Sequence, residues 1–282
     1  MTQLSYSVRS MIVAPKDHYL VNFDLAQAES WIVAYLADEP KMKESLNHGD
    51  FHKDTAFNAL FPKLDWTLMD KDEYKATRYI GKQYNHATCY RMGPYRAAEV
   101  INAKSDKPPF VTVTYAESKK NTANRHAYYH IKEWWREIED QLSKNRTITT
   151  PYGRSRVFFD HWGEEMFKKA TAYLPQSTIA DHMNGMVQEE LGIEGGVVTV
   201  YEDLHETGLI EIWNQSHDSI LYSVHEDKLI DSCHEVQARL LRPLIVNSEE
   251  IKVPVDCEIG ERWGELVEME REVGSYDIKF AA

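Results

Sequence analysis

The chain has 282 residues, of which 43% are hydrophobic, so it can build one large core or two smaller ones. No apolar run is long enough to span a bilayer, and the N-terminus lacks the charged and apolar parts of a signal peptide. We therefore expect a cytoplasmic protein with no membrane partner. The three cysteines have no paired spacing, which argues against a disulfide framework and against a zinc site.

The net charge of −13 argues against a nucleic-acid partner, because Lys and Arg side chains supply most of the non-specific affinity for phosphates. The charges are unevenly distributed along the chain. Residues 63–158 contain 18 basic and 11 acidic residues, whereas the rest of the chain contains 14 basic and 34 acidic residues. A basic middle segment suits contact with phosphates, and acidic flanks suit solvent or metal ions.

The first predicted elements are a strand and a helix that meet near Asp24. Residues 19–23 are apolar and aromatic enough for a buried strand, and Ala28, Ile32 and Tyr35 share one face of the helix that follows. A carboxylate at such a junction can bind a hard divalent cation or cap the helix. From this segment alone, the helix cap is the favoured interpretation.

The next segment contains His48 and His52, which are four residues apart and could suggest a metal-binding pair. Gly49 lies between them and disfavours a helix that would link the two rings. We therefore do not expect a zinc site at these histidines.

Residues 71–100 are predicted to form a helix that breaks at Gly93 and Pro94. Within it, Arg78, Lys82, His86 and Tyr90 recur every four residues and so share one helical face. Two cations followed by two rings can bind a triphosphate at one end and a base or sugar at the other. A solvated charged face is the alternative interpretation.

Further helices are predicted over residues 124–142, where an apolar stripe indicates a core-facing side, over residues 168–188 and over residues 228–241. Between the first two of these helices lies a glycine-containing turn that carries Arg154. The alternating residues Val253, Val255, Cys257 and Ile259 predict a strand beside the hairpin described next.

Residues 209–224 place apolar residues on both sides of a polar centre. This pattern predicts two short antiparallel strands joined by a tight turn at His217 and Asp218. Each of two strands in the chain would then present one aspartate, Asp24 from the first strand and Asp218 from the hairpin.

These three segments together resemble motifs A, B and C of the family-A DNA polymerases, the group of bacterial polymerase I and phage replicases. The resemblance extends from about Arg9 to Trp263. The residues that carry it are Asp24-Leu25-Ala26-Gln27-Ala28-Glu29, then Arg78, Lys82, His86 and Tyr90, and then His217-Asp218.

The resemblance implies an α+β fold, in which a polymerase palm has an antiparallel sheet backed by helices and a mainly helical fingers subdomain is inserted. The implied segments are palm over residues 1–37, fingers over residues 38–159 and palm over residues 160–282. We do not expect the family's thumb and exonuclease domains in this chain. It would then be a fragment or one product of a split gene, and a second polypeptide would supply those parts.

The implied function is template-directed DNA synthesis, in which a dNMP is transferred from a dNTP to a primer 3′ end on primer-template DNA in a bacterial or phage-infected cell. The resemblance implies two Mg²⁺ ions, with Mn²⁺ as an alternative ion, bound by Asp24, Asp218 and the backbone carbonyl of Leu25. It also implies that Lys82 protonates the leaving pyrophosphate.

The resemblance assigns two further groups of residues. Glu29 corresponds to the side chain that crowds a ribose 2′-OH, and His52 to a histidine that contacts the phosphates of the incoming nucleotide. The full nucleotide-binding set is Gln27, Glu29, His52, Arg78, Lys82, His86 and Tyr90. The DNA-binding set is Arg154, Lys168, Gln176, Gln215 and His217.

The sequence departs from the family pattern at four positions. His86 stands where the family usually has Phe or Tyr, Ala87 where it has Gly, and Ala172 where Asn is frequent. Ser219 replaces the further acid that usually follows the motif C aspartate.

Two other functions stay open. A catalytically silent polymerase-like binding or assembly subunit fits the strong negative charge. A stand-alone metal-dependent hydrolase would leave the face from Arg78 to Tyr90 unexplained.

Overall fold

The computed structural model describes residues 6–106 and 108–270. The first residues of the chain, on which the expectation about a signal peptide rests, lie outside these ranges. The described α-helices are α1 (Tyr6–Arg9), α2 (Ala28–Leu36), α3 (Pro40–His48), α4 (Phe51–Asp54), α5 (Lys71–Cys89), α6 (Pro94–Asn102), α7 (Tyr115–Tyr128), α8 (Lys132–Asn145), α9 (Glu164–Asn184), α10 (Gly196–Val200) and α11 (Leu229–Leu240).

The described strands belong to one five-stranded sheet and two hairpins. They are β1 (His18–Leu25), β2 (Thr147–Thr149), β3 (Ser155–Val157), β4 (Glu211–Ser216), β5 (Ser219–His225), β6 (Pro243–Val246), β7 (Glu249–Lys252), β8 (Val255–Gly260) and β9 (Val267–Glu268).

The chain divides into two compact units. We call the first the sheet unit; it comprises the described residues within Met1–Glu29, Pro151–Arg154 and Gln176–Ala282. The second, the helical unit, comprises the described residues within Ser30–Thr150 and Ser155–Pro175. The first segment of the sheet unit ends before the boundary predicted at residue 37. The last segment of the helical unit continues past the boundary predicted at residue 159. The assignment of these parts to palm and fingers stays a prediction.

The sheet unit is built around an antiparallel sheet of order β4-β5-β1-β8-β9. Along β1, the buried residues Val21, Phe23 and Leu25 alternate with the half-buried Asn22 and Asp24. The buried set faces the side on which α11 packs, where the ring of Phe23 stacks on Tyr222 at 6.4 Å between centroids. The alternation of a strand therefore leaves the polar residues of β1 on the opposite face.

The helical unit has its own apolar core. Its buried residues come from the π-helical turn Thr55–Leu60 and from α5, α6 and the segment before α7. Tyr84 and Ile101 are fully buried in this cluster, and Ala87, Ala97 and Ala98 allow the helices that carry them to approach closely. The position of α5, which carries the predicted cationic face, is therefore fixed by packing on its opposite side.

Several elements predicted from sequence are confirmed, among them β1, the β4–β5 hairpin with its turn at His217 and Asp218, and the break between α5 and α6. The helix predicted over residues 168–188 is present as α9, which begins and ends four residues earlier.

The single helix predicted over residues 124–142 is wrong. The chain leaves α7 at Tyr128 and starts α8 at Lys132, because the backbone N–H of His130 donates to Glu39 Oε2 at 2.7 Å instead of continuing the helix. In α8 the buried indole is that of Trp134 and not that of Trp135.

The strand predicted beside the hairpin is also differently placed. β8 pairs with β1, which separates it from β4 and β5. None of the described helices is both long enough and apolar enough to cross a membrane.

Candidate active site

The sheet unit places two predicted aspartates beside each other. Asp24 lies in β1 opposite Ser219 of β5, and Asp218 occupies the two-residue loop that precedes Ser219. The backbone N–H of Leu25 donates to the carbonyl of Asp218 at 2.9 Å and holds the loop against the end of β1. Both aspartates line a cleft of about 370 Å³. The pairing of β1 with β5 thus brings Asp24 and Asp218 into one cleft.

Asp24 does not hold the position of a helix cap. β1 continues to Leu25, and α2 begins only at Ala28, so the N-cap position of that helix belongs to Gln27. The helix-cap interpretation of Asp24 is therefore wrong, and its placement in the cleft favours the metal interpretation.

The cleft concentrates negative charge in partly buried surroundings. Burial raises the pKa of Asp218 above its ordinary value, and the nearby charge of Glu29 raises it further. Burial also raises the pKa of Glu258, as do the charges of Glu268 and Asp256, although a hydrogen bond from Asn22 to Glu258 of 3.3 Å acts in the opposite direction. Such shifts indicate carboxylates that would be stabilised by a bound cation.

The oxygen donors of this cleft fit a hard divalent cation. Carboxylate and backbone carbonyl oxygens are the ligands that Mg²⁺ and Mn²⁺ prefer, and the cleft offers no thiol. Within residues 6–106 and 108–270, no group of three or more His, Cys, Asp or Glu side chains is arranged to hold a metal. A cation there would therefore be shared between a few carboxylates and oxygens of the backbone or of a substrate, the arrangement expected for Mg²⁺.

The cationic face of α5 lies in the helical unit. Asp70 caps α5, accepting from the N–H groups of Asp72 and Glu73, while the Glu73 side chain accepts from the N–H of Asp70. At Gly81 the helix packs so tightly against α4 that an added Cβ would lie 2.2 Å from the carbonyl oxygen of His52. The glycine thus allows the close approach that brings Arg78 and Lys82 near α4.

Arg78 is paired within this cluster. Its Nε donates to Asp50 Oδ2, and Asp50 also caps α4 by accepting from the N–H groups of His52 and Lys53, both at 3.1 Å. Burial would raise the pKa of Asp50, but the hydrogen bond and charge of Arg78 bring that pKa below its ordinary value. Arg78 is therefore oriented before any ligand is present.

His52 is buried among the same cations. Its burial, together with the charges of Arg78 and Lys82, lowers the pKa of His52 to about 3. The ring of His86 lies 6.2 Å from that of His52, between centroids, while Tyr90 ends α5 at its C-cap. The structure thus brings His52 of α4 beside Arg78, Lys82 and His86, which share one face of α5 as the four-residue spacing predicts.

The residues assigned to DNA binding are more scattered. Gln215 and His217 line the acidic cleft, and Gln215 donates to Asn184 Oδ1 at 2.6 Å. Arg154 belongs to the sheet unit but not to the cleft lining, and its Nε is held by the fully buried Asp181 at 2.8 Å. Gln176 is exposed in the sheet unit.

Lys168, the last of these residues, lies in the helical unit and donates to Glu165 at 2.8 Å. Among the nucleotide-binding residues, Gln27 and Glu29 belong to the sheet unit. The roles of these two sets stay predictions.

Sequence reasoning missed Asp256, which is the direct partner of Asp24 across the β1–β8 pair and lines the same cleft. The signal was present, because the alternation of Val255 and Cys257 puts Asp256 on the opposite face of the strand. The predicted strand order, with this strand beside the hairpin, does not bring Asp256 next to Asp24. Asp50 was also missed, although an aspartate just before a short helix is a frequent cap.

Comparison with known proteins gives a consistent result. The family model described as "DNA polymerase family A" matches residues 1–265. The chain is similar to DNA polymerase I of Helicobacter pylori strain 26695, at 23% identity over 267 residues that cover 92% of this chain and 26% of the relative. It is also similar to the DNA polymerase of Escherichia phage T5, at 24% identity over 274 residues, with 90% of this chain and 30% of the relative covered.

A solved structure has a similar fold. It is the POL domain of Pol1 from M. smegmatis in complex with DNA primer-template and dNTP, with a TM-score of 0.71, 19% sequence identity, and coverage of 92% of this chain and 42% of that chain. The likeness shows a mixed α and β fold of the POL-domain kind.

The chain spans between a quarter and a third of the length of the two curated relatives it matches. The expected absence of thumb and exonuclease domains, and a second polypeptide that would supply them, stay predictions. Because the family model matches all but the last residues of the sequence, the expectation drawn from the three motifs is confirmed: the chain belongs to DNA polymerase family A.

Proposed function

We propose that this chain carries out template-directed DNA synthesis, transferring a dNMP from a dNTP to the 3′ end of a primer. The observation that carries the proposal is the placement of Asp24 and Asp218 side by side in one acidic cleft of the sheet unit. Nucleotidyl transfer needs carboxylates that converge on one place, and family membership supplies the reaction.

In this proposal Asp24, Asp218 and the carbonyl of Leu25 hold two Mg²⁺ ions. Bound there, the ions would stabilise the attacking 3′ oxygen and the leaving pyrophosphate oxygen. Glu29 occupies the space that a ribose 2′-OH would need and so favours deoxyribonucleotides. The charge of Glu29 raises the pKa of Asp218, and this proximity supports a role for Glu29 at the reacting end of the nucleotide.

The cluster on α5 binds the triphosphate. Arg78 and Lys82 neutralise its charge, and His52 contacts a phosphate oxygen. Lys82, which is exposed on α5, protonates the leaving pyrophosphate, while His86 and Tyr90 contact the sugar and the templating pair. Gln27 completes the nucleotide-binding set.

Primer-template DNA would be contacted by the exposed ends of the remaining side chains. Arg154 is suited to a backbone phosphate because Asp181 fixes its orientation while about half of its side chain stays exposed. The other residues proposed to contact DNA are Lys168, Gln176, Gln215 and His217.

Primer extension by the purified chain with Mg²⁺ and all four dNTPs tests the proposal. We expect extended products that disappear when EDTA is added and in the Asp218→Asn variant. Asp231→Asn, which changes an exposed carboxylate in the first turn of α11, is the matched control and should leave extension intact. A folded wild-type chain that extends no primer under these conditions would contradict the proposal.

A catalytically silent polymerase-like subunit is the second candidate. Ser219 in place of the usual acid and the net charge of −13 favour it. Such a subunit would bind primer-template DNA and yet extend it with neither Mg²⁺ nor Mn²⁺. Binding measured beside extension on the same preparation separates the two functions.

A further inference from the structure

A buried polar network connects α4, α5 and α7 inside the helical unit. Asn85 of α5 and Arg125 of α7 are almost completely buried, and Arg125 Nε donates to Asn85 Oδ1 at 3.1 Å. Asn85 Nδ2 lies 3.2 Å from His52 Nδ1 and 2.9 Å from the hydroxyl of Thr55. The network therefore connects a buried arginine to the histidine of the proposed phosphate site.

The chemistry of these groups fixes the direction of each hydrogen bond. A guanidinium group can only donate, so the atom of Asn85 that faces Arg125 must be the oxygen. The other contacts of Arg125 are to the sulfur atoms of Cys89 and Met42 and to the ring of Tyr129, so Asn85 is the oxygen acceptor of this guanidinium.

The amide nitrogen of Asn85 then has to face His52. An amide NH₂ group can only donate, so His52 Nδ1 must accept, and the single proton of a neutral imidazole must lie on Nε2. The low pKa of about 3 agrees with this assignment, because it keeps His52 neutral at any physiological pH. Arg125 thus sets the orientation of Asn85, and Asn85 sets the tautomer of His52.

We propose that Asn85 is a positioning residue that holds His52 as the Nε2–H tautomer, so that His52 donates a hydrogen bond to a phosphate oxygen of the bound nucleotide. The inference rests on the proposed function, from which it takes the phosphate contact of His52. In the other tautomer Nε2 would present a lone pair to an anionic oxygen, which would repel it. A neutral donor also avoids adding a third positive charge beside Arg78 and Lys82.

The tautomer can be measured without any activity. In ¹⁵N-edited NMR spectra of the wild-type chain labelled in its histidines, with the His52→Gln variant used for assignment, we expect His52 to carry its proton on Nε2 at pH 7.5. The Asn85→Asp variant keeps an acceptor for Arg125 but also accepts from His52, so its His52 should carry the proton on Nδ1 and have a higher pKa. A wild-type His52 protonated on Nδ1 would overturn the inference.

The functional consequence is a pH-dependent loss of nucleotide affinity. Single-turnover incorporation gives the Kd of the dNTP and the maximal rate separately. We expect Asn85→Asp to raise the Kd by about 10-fold or more at pH 8, the effect of losing a hydrogen bond to a charged group, with a smaller effect on the maximal rate. The increase should shrink as the pH falls through the His52 pKa that NMR measures in this variant, because protonation of His52 restores a donor at Nε2. Each Kd is compared with the wild-type Kd at the same pH, because protonation of the dNTP phosphates affects both proteins equally.

Two controls separate positioning from structural damage. Tyr129→Phe removes a hydroxyl that contacts Thr55 at 3.3 Å and leaves Asn85 and His52 in place, so its Kd should have the pH dependence of the wild type. The double variant Asn85→Asp/His52→Gln should lose the pH dependence of the single Asn85 variant, because glutamine does not titrate. An Asn85→Asp penalty that stays equal as the pH falls through the His52 pKa measured in that variant would overturn the inference.

Failure of the proposed function gives a different result. If His52 is the Nε2–H tautomer but the wild-type chain binds no dNTP, the phosphate contact is refuted together with the proposed function. If the chain extends primers and the NMR tautomer is Nδ1–H, only the inference about Asn85 fails.

Discussion

The sheet unit and the helical unit hold opposite charges in different ways. In the sheet unit, carboxylates lie close together and burial and mutual repulsion raise the pKa values of Asp218 and Glu258. In the helical unit, Arg78 is already paired with Asp50, whose pKa is lowered by that contact. A cation bound in the acidic cleft would relieve this repulsion, whereas the charge of Arg78 in the basic cluster is already compensated by Asp50.

Substitution of the aspartates in the acidic cleft should have the largest effect. Asp24→Asn or Asp218→Asn should reduce extension by more than about 100-fold, since even residues that only support a metal ligand affect metal affinity or activity by 10–100-fold. The thermal midpoint in EDTA should stay unchanged or rise, because one of two crowded charges is removed.

Mg²⁺ should raise the midpoint of the wild-type chain more than that of either variant. Differential scanning fluorimetry with and without Mg²⁺ measures both effects. Retained extension in either variant would remove that aspartate from the metal site.

The two units should also differ in their response to pH, because they contain different numbers of histidines with lowered pKa values. Burial lowers the pKa of His182 in the sheet unit to about 3, and that of His52 and His126 in the helical unit to about 3 and about 4. The unfolded chain takes up these protons near pH 6.5 and the folded chain does not, so folding stability is lost as the pH falls below about 6.5.

The loss per fully depressed histidine is about 1.4 kcal/mol per pH unit. Two of these three histidines lie in the helical unit and one lies in the sheet unit. The unfolding free energy of the helical unit should therefore fall more steeply as the pH decreases. Hydrogen exchange of amides in α5 and in β5, compared at pH 7 and pH 5.5 after correction for intrinsic rates, measures this difference. Equal losses in the two units would contradict it.

The basic cluster on α5 depends on the close approach of α5 to α4 at Gly81. Gly81→Ala places a methyl group against the backbone of His52 and should cost about 1–3 kcal/mol of unfolding free energy. It should also raise the Kd for dNTP, because α5 moves away from α4. Gly93→Ala, at a position with no neighbouring atom within 4 Å, is the matched control. Urea unfolding of both variants tests the difference, and equal midpoints would show that the contact relaxes at no cost.

The smallest expected effect concerns Glu29. Glu29→Ala should raise the ratio of ribonucleotide to deoxyribonucleotide incorporation by about 10-fold, the lower end of what one extra group in a binding pocket changes. Because the charge of Glu29 also raises the pKa of Asp218, a Glu29→Gln variant separates charge from bulk. If bulk matters, Glu29→Gln should keep the wild-type ratio, and an unchanged ratio in both variants would exclude Glu29 from this role.

The features that the sequence predicts well are those with local causes. The alternation in β1, the two-residue turn at His217 and Asp218, and the four-residue repeat on α5 each depend on neighbours along the chain. The residue patterns alone give two strands that each present an aspartate, and the expectation that Asp24 lies beside Asp218 came from the resemblance to the polymerase motifs.

The features that the sequence does not reveal depend on the order of strands and on packing. Asp256 lies in the cleft because β8 pairs with β1. The alternation of apolar and polar residues predicts a strand but does not indicate which strand it pairs with. The interruption between α7 and α8 follows from a hydrogen bond to Glu39, 91 residues away. The role of Asn85 depends on its hydrogen bonds with Arg125 and His52, which lie on other helices and are distant from it in the sequence.

The polar side of β1 has a consequence for folding fidelity. If β1 slipped by one residue against β5 and β8, every side chain would change face. Asp24 and Asn22 would then lie in the apolar interior beneath α11, and Val21, Phe23 and Leu25 would meet solvent. Burying an unpaired carboxylate costs several kcal/mol, so misaligned sheets would be strongly disfavoured. Asp24, the aspartate proposed for catalysis, thereby also disfavours incorrect registers of the strand that carries it.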